Sequence, residues 1–213
     1  ALGGSLYLLS AILLLFVEYE RNSWRHKNQS IFKNIAQGIR YARSNKIIMA
    51  AFCVTIIFNL FGFSCVSMVP VIARQELNLS AFAIGILSSG EGVGAFLGSI
   101  LVAYFVVRAR FNQVYFFGAI LYLLGLSIFA ISNLYWVSLV AICLGGAGIA
   151  GFASMQAAII ISNAPFEMRT RLMGVLTMCI GTGPVGILIL GILANYLGAA
   201  FGVFIITMSG LTA

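Results

Sequence analysis

Residues 80–110 read SAFAIGILSSGEGVGAFLGSILVAYFVVRAR. The stretch 80–107 is apolar and long enough to cross a bilayer as a helix, which takes about 20 residues. One carboxylate, Glu91, stands near its middle. Gly90, Gly94 and Gly98 recur at every fourth position, the small-xxx-small spacing that lets helix backbones approach closely. At about 100° per residue, Gly94 and Gly98 fall near the face of Glu91. The carboxylate is therefore expected on the packed side of its helix, away from lipid. A charge at bilayer depth costs about 2.5 to 3.5 kcal/mol on insertion scales and marks a candidate functional site. The plainer alternative is a protonated carboxyl that only bonds a neighbouring helix. Arg108 and Arg110 follow the run and mark the end held at the membrane surface.

Working outward, the rest of the chain has the same character. Of its 213 residues, 62% are hydrophobic and 8% charged, and the mean hydropathy is +1.08. A soluble domain carries about 25% charge. The apolar runs are long and continuous, whereas barrel strands would be short and alternating. The sequence thus reads as an all-α, polytopic membrane protein. A net charge of +7 would suggest nucleic acid in a soluble protein. Here the cations lie in loops as membrane anchors, and no nucleic-acid partner is expected. Cys53, Cys65, Cys143 and Cys179 all sit inside apolar runs without a CxxC pair, and read as free thiols. The single histidine, His26, lies in a charged loop. No metal site and no cofactor are expected. An intramembrane enzyme fails on inventory, with no HExxH, no GxSxG and no histidine in a span. The chain lacks an initial Met and its last apolar run stops at Ala213, so it reads as a fragment with both ends missing.

Taken in order, residues 1–17 read as the end of one span. Residues 18–46 form a polar linker with seven Lys and Arg. Within it, Ile31, Ile35, Ile39 and Ala42 recur at helical spacing, opposite Lys33, Gln37, Arg40 and Ser44. That is the pattern of an amphipathic helix lying on anionic lipid. Residues 47–213 read as a six-helix bundle, with spans at 47–72, 80–107, 114–131, 137–162 and 172–197 and a last one cut short. Loops 18–46, 108–113 and 163–171 carry 7, 2 and 2 Lys or Arg, and loops 73–79, 132–136 and 196–199 carry 1, 0 and 0. The positive-inside rule makes the first set cytoplasmic. In the second span Thr55, Asn59 and Phe63 fall on one line, and further along Phe152 and Gln156 share a face. A polar line on an apolar helix either bonds a neighbouring helix or lines a cavity. These five residues are the candidates for a substrate cavity. GTGPVG, residues 181–186, carries Pro184, and a helix kink is expected there.

Three stretches resemble a known family. NIAQGIRYARSN (34–45), FNLFGF (58–63) and APFEMRTRLMG (164–174) are similar to segments of the transmembrane secretion effector branch of the major facilitator superfamily. That branch includes enterobactin-exporter-like and macrolide-efflux-like proteins. The last stretch matches its P-x-E-M-R-G-R-x-M-G loop at Pro165, Glu167, Arg169, Arg171 and Gly174, with Thr170 in place of the usual glycine. The loop at Arg108 and Arg110 lacks the Asp of the superfamily's G-x-x-x-D-R-x-G-R signature. The resemblance covers essentially the whole chain and implies its C-terminal half: the end of helix 6, a cytoplasmic linker, and helices 7 to a truncated 12. It implies a secondary transporter working by alternating access, exporting small amphipathic molecules (drug or siderophore-like) in exchange for protons. Glu91, the one acidic residue inside a span, becomes the candidate proton carrier. The implied partners are the lipid bilayer, substrate, protons and a missing N-terminal half, in a bacterial inner membrane. An uptake symporter, a channel and a non-transporting scaffold are the alternatives.

Overall fold

A computed structural model describes Leu13, residues 31–107 and residues 110–213. The expected span at 1–17, apart from Leu13, the linker residues 18–30 with His26, and Arg108 lie outside the described residues. Residues 32–213 form one compact unit. It is all-helical, with no strand among the described residues.

Helix α1 (Ile31–Ser44) ends at Asn45, whose side-chain oxygen accepts from the amides of Ile47 and Ile48 at 3.0 and 3.3 Å. That cap starts α2 (Lys46–Ile57) after a sharp turn. The inward face of α1 differs from the one its periodicity predicts. Gly38 and Ala42 are buried and Ile35 packs beside them, while Ile39 is exposed. The contact is close: a Cβ on Gly38 would stand 3.0 Å from Val175 Cγ2 and 3.2 Å from the Arg171 carbonyl oxygen. Small residues outrank Ile39 here because the backbones nearly touch.

The second span is irregular. After α2 comes a π turn (Phe58–Gly62), then a 3-10 segment (Phe63–Met68), then α3 (Val69–Gln75). Together they make one 30-residue apolar helix, Lys46–Gln75. The distortion follows from tertiary contact. Gly186 sits against the Leu60 carbonyl, and a Cβ on Gly210 would stand 2.6 Å from Phe61 Cβ. Side chains take up carbonyls in the distorted turns: Ser64 Oγ donates to Leu60 O at 2.7 Å, and Cys65 Sγ to Phe61 O at 3.4 Å.

The bundle continues with α4 (Ala81–Phe105), α5 (Phe111–Ile131), α6 (Tyr135–Asn163), α7 (Phe166–Ile180), α8 (Gly183–Leu197) and α9 (Ala199–Thr212). Five helices among the described residues are long and apolar enough to cross a membrane, and Ala199–Thr212 is a shorter apolar one. The protein is an integral, multi-pass membrane protein. Helix α6 is its centre, meeting α4 on one side and α5 on the other. Gly94 lies against the Cys143 carbonyl and Gly146 against the Glu91 carbonyl. On the other side, a Cβ on Gly118 would stand 2.6 Å from Gly148 O, and one on Gly125 2.6 Å from Ala141 O. Any side chain at these positions would separate the helices.

One loop is shorter than its charge suggests. Residues 163–171 read as a loop, yet helix α7 already begins at Phe166, with Pro165 as its N-cap and Glu167 in its first turn. Proline before a helix and a carboxylate near its positive end both favour helix, so the charged motif forms the start of the span. That span is divided, since α7 stops at Ile180 and α8 starts at Gly183, with Pro184 in its first turn.

Candidate functional site

A cluster of polar side chains lies where α2, α5 and α6 meet. Thr55 is fully buried. Its hydroxyl lies 2.7 Å from the Tyr115 hydroxyl, and both reach the Ala51 carbonyl at 2.8 Å. Two hydroxyl protons serve three contacts, so one contact lacks a proton at any moment. Gln156 Nε2 donates to Thr55 Oγ1 at 3.2 Å. Beneath this network the rings form a column. Phe152 stacks on Phe58 at 3.8 Å and on Tyr115 at 4.7 Å, and Phe58 leans on Tyr122 at 5.0 Å.

Asn59 joins the network through the backbone, donating from Nδ2 to Thr55 O at 2.8 Å. Its Oδ1 points at the α7–α8 break: a Cβ on Gly183 would stand 4.0 Å from Asn59 Oδ1 and 3.8 Å from Phe63 Cδ1. The irregular part of the second span therefore faces the division between α7 and α8. Of the five cavity candidates, Thr55, Phe152 and Gln156 are brought together and Asn59 adjoins them. Phe63 stands apart, 49% exposed beside Gly183.

Glu91 is half-buried in the middle of α4. Its backbone carbonyl is pressed on Gly146. Tyr122 is 2% exposed, and its hydroxyl makes no hydrogen bond of full geometry. Lys and Arg occur in the described spans only near their ends, at Lys46, Arg74, Arg169 and Arg171. No cluster of His, Cys, Asp and Glu suited to a metal ion occurs among the described residues.

The charged motif ties down the start of α7. Arg169 Nε donates to Ala164 O at 3.2 Å, and its guanidinium lies 5.9 Å from the Phe166 ring centre. Arg171 Nη1 lies 3.4 Å from Met168 Sδ, and its backbone carbonyl lies under Gly38. Gly174 has open space where a Cβ would go.

Sequence reasoning reads 114–131 as a plain span with Tyr115 and Tyr122 as its polar-tipped residues, and assigns neither to a site. A signal was present: they are seven residues apart, so their polar tips lie on one helix face. The Ser127–Thr207 hydroxyl pair, at 2.8 Å between α5 and α9, had no local signal.

The family model described as transmembrane secretion effector matches residues 4–213. No curated protein and no solved structure matches the chain.

Proposed function

Because this chain belongs to the transmembrane secretion effector family of the major facilitator superfamily, we propose that it is part of a proton-driven exporter of small amphipathic molecules. The single observation that carries the reading is Glu91: a half-buried carboxyl in mid-span, beside a glycine seam, with Lys and Arg only near the ends of the described spans. An ionised carboxylate there is costly, and a group that gains and loses a proton as a cavity opens and closes is what coupling needs.

Substrate would enter beside the irregular second span and the α7–α8 division. Interrupted helices near mid-membrane commonly form such sites in transporters. Thr55, Asn59, Phe63, Phe152 and Gln156 are the residues we assign to that side. A second six-helix half completes the cavity in this account, and the membrane is the bacterial inner membrane.

The test is uphill transport. The full-length protein in proteoliposomes should accumulate a fluorescent amphipathic dye against its gradient when a proton gradient is imposed. An uncoupler should abolish that accumulation. Dye movement that only ever runs downhill and ignores the uncoupler would make the protein a channel or a scaffold.

A further inference from the structure

We propose that Asn59 and Gln156 turn their amide oxygens toward substrate, so that the site selects amphipathic molecules carrying N–H or O–H donors. This rests on the export reading above and names the chemistry that its site would select. Thr55 holds the nitrogen end of both amides. Asn59 Nδ2 donates to Thr55 O at 2.8 Å, and Gln156 Nε2 donates to Thr55 Oγ1 at 3.2 Å. The first orientation is forced, because a backbone carbonyl can only accept. The second follows from counting protons. The Thr55 and Tyr115 hydroxyls lie 2.7 Å apart and each reaches Ala51 O at 2.8 Å, which is three contacts for two protons. Turned round, the Gln156 amide would claim one of those protons and leave two of the three contacts without any.

The oxygen ends are left over. Among the described residues nothing donates to Asn59 Oδ1 or Gln156 Oε1, and neither atom is sealed in the core. Asn59 Oδ1 has room beside it. Gly183 has no side chain, and a Cβ there would stand 4.0 Å from that oxygen and 3.8 Å from Phe63 Cδ1. The exposed Phe63 ring gives the same space an apolar wall. Nearby hydroxyls are already occupied: Ser64 Oγ donates to Leu60 O at 2.7 Å and Thr182 Oγ1 to Cys179 O at 2.8 Å. Residues 47–73, 135–163 and 172–198 contain no Asp, Glu, Lys or Arg. An acceptor without a donor is costly in a membrane interior, so a substrate that supplies the donor is favoured over one that cannot. Neutral oxygens beside an aromatic ring suit N–H or O–H groups set on an apolar body, and they discriminate by donor rather than by charge.

The experiment uses rhodamine 123 and tetramethylrhodamine methyl ester, two cationic dyes of one scaffold. The nitrogens carry hydrogens in the first and only methyl groups in the second. Exchange by the full-length protein is measured in proteoliposomes without a proton gradient, so the result does not depend on Glu91. Rhodamine 123 should half-saturate exchange at an about tenfold lower concentration, the effect of one unmatched acceptor. Gln156→Leu and Asn59→Leu should each narrow that preference to about threefold or less at normal expression. If they do not reach the membrane, Thr55→Val replaces them. It keeps both amides but frees the Gln156 nitrogen from Thr55 Oγ1, and should also narrow the preference. Equal half-saturation by the two dyes in wild type, or the full preference kept in the expressed variants, overturns the proposal and leaves the export reading standing. Exchange of neither dye above the rate of protein-free vesicles removes the export reading and the proposal with it.

Discussion

Gly146 of α6 lies against the backbone carbonyl of Glu91 so closely that no Cβ fits between them. The carboxylate of α4 is therefore held at a fixed height on the central helix, with the Gly94–Cys143 contact one turn along. Position, and not chemistry alone, separates Glu91 from a stray polar residue in a span.

Gly146→Ala should accordingly lower stability by about 1 to 3 kcal/mol or more, the cost of overpacking a tight contact. Gly92→Ala is the control, since nothing lies within 4 Å of a Cβ there and the change should be neutral or slightly stabilising. Thermal unfolding of both variants in detergent checks the pair. Equal melting points would mean that the seam is looser than described.

The hydroxyl network makes a second prediction. Thr55→Val and Tyr115→Phe should each cost about 0.5 to 1.5 kcal/mol, and the double variant more than their sum, because it alone leaves Ala51 O with neither hydroxyl donor. In each single variant the remaining hydroxyl still reaches Ala51 O. Strict additivity in a double-mutant cycle would dissolve the network.

Asn59 and Gln156 are expected to matter more for substrate than for folding. Asn59→Leu and Gln156→Leu should change the ranking of exported dyes severalfold while expression holds. If both variants merely lose expression, the two amides are helix-packing groups.

Much of the fold was legible because bilayer thickness turns apolar run length into helix count, and the runs at 80–107 and 137–162 needed no other clue. The helix start at Phe166 was hidden because three charges in six residues, Glu167, Arg169 and Arg171, look like a loop. The π and 3-10 turns at Phe58–Met68 were hidden for a different reason. No proline precedes Pro70 there, and the distortion comes from Gly186 and Gly210, more than a hundred residues away. Glu91 stood out because a carboxylate in an apolar run has no ordinary explanation. Tyr115 did not, because tyrosine is common in spans and only its hydroxyl contact with Thr55 gives it meaning.

Sidedness is open to direct chemistry. In a background without Cys53, Cys65, Cys143 and Cys179, single cysteines at positions 110 and 169 should resist an impermeant reagent in whole cells, while those at 74 and 136 react. Strong labelling at 110 or 169 in intact cells reverses the orientation drawn from the loop charges.

The central claim is that Glu91 carries the coupled proton, and Glu91→Gln addresses it with the least disturbance. Glutamine keeps the size and hydrogen bonding of a neutral carboxyl and cannot titrate. In proteoliposomes containing the full-length transporter, Glu91→Gln should abolish dye accumulation driven by a proton gradient, at normal expression and with dye binding retained. Normal proton-driven accumulation by Glu91→Gln would contradict the account and leave Glu91 as a packing residue.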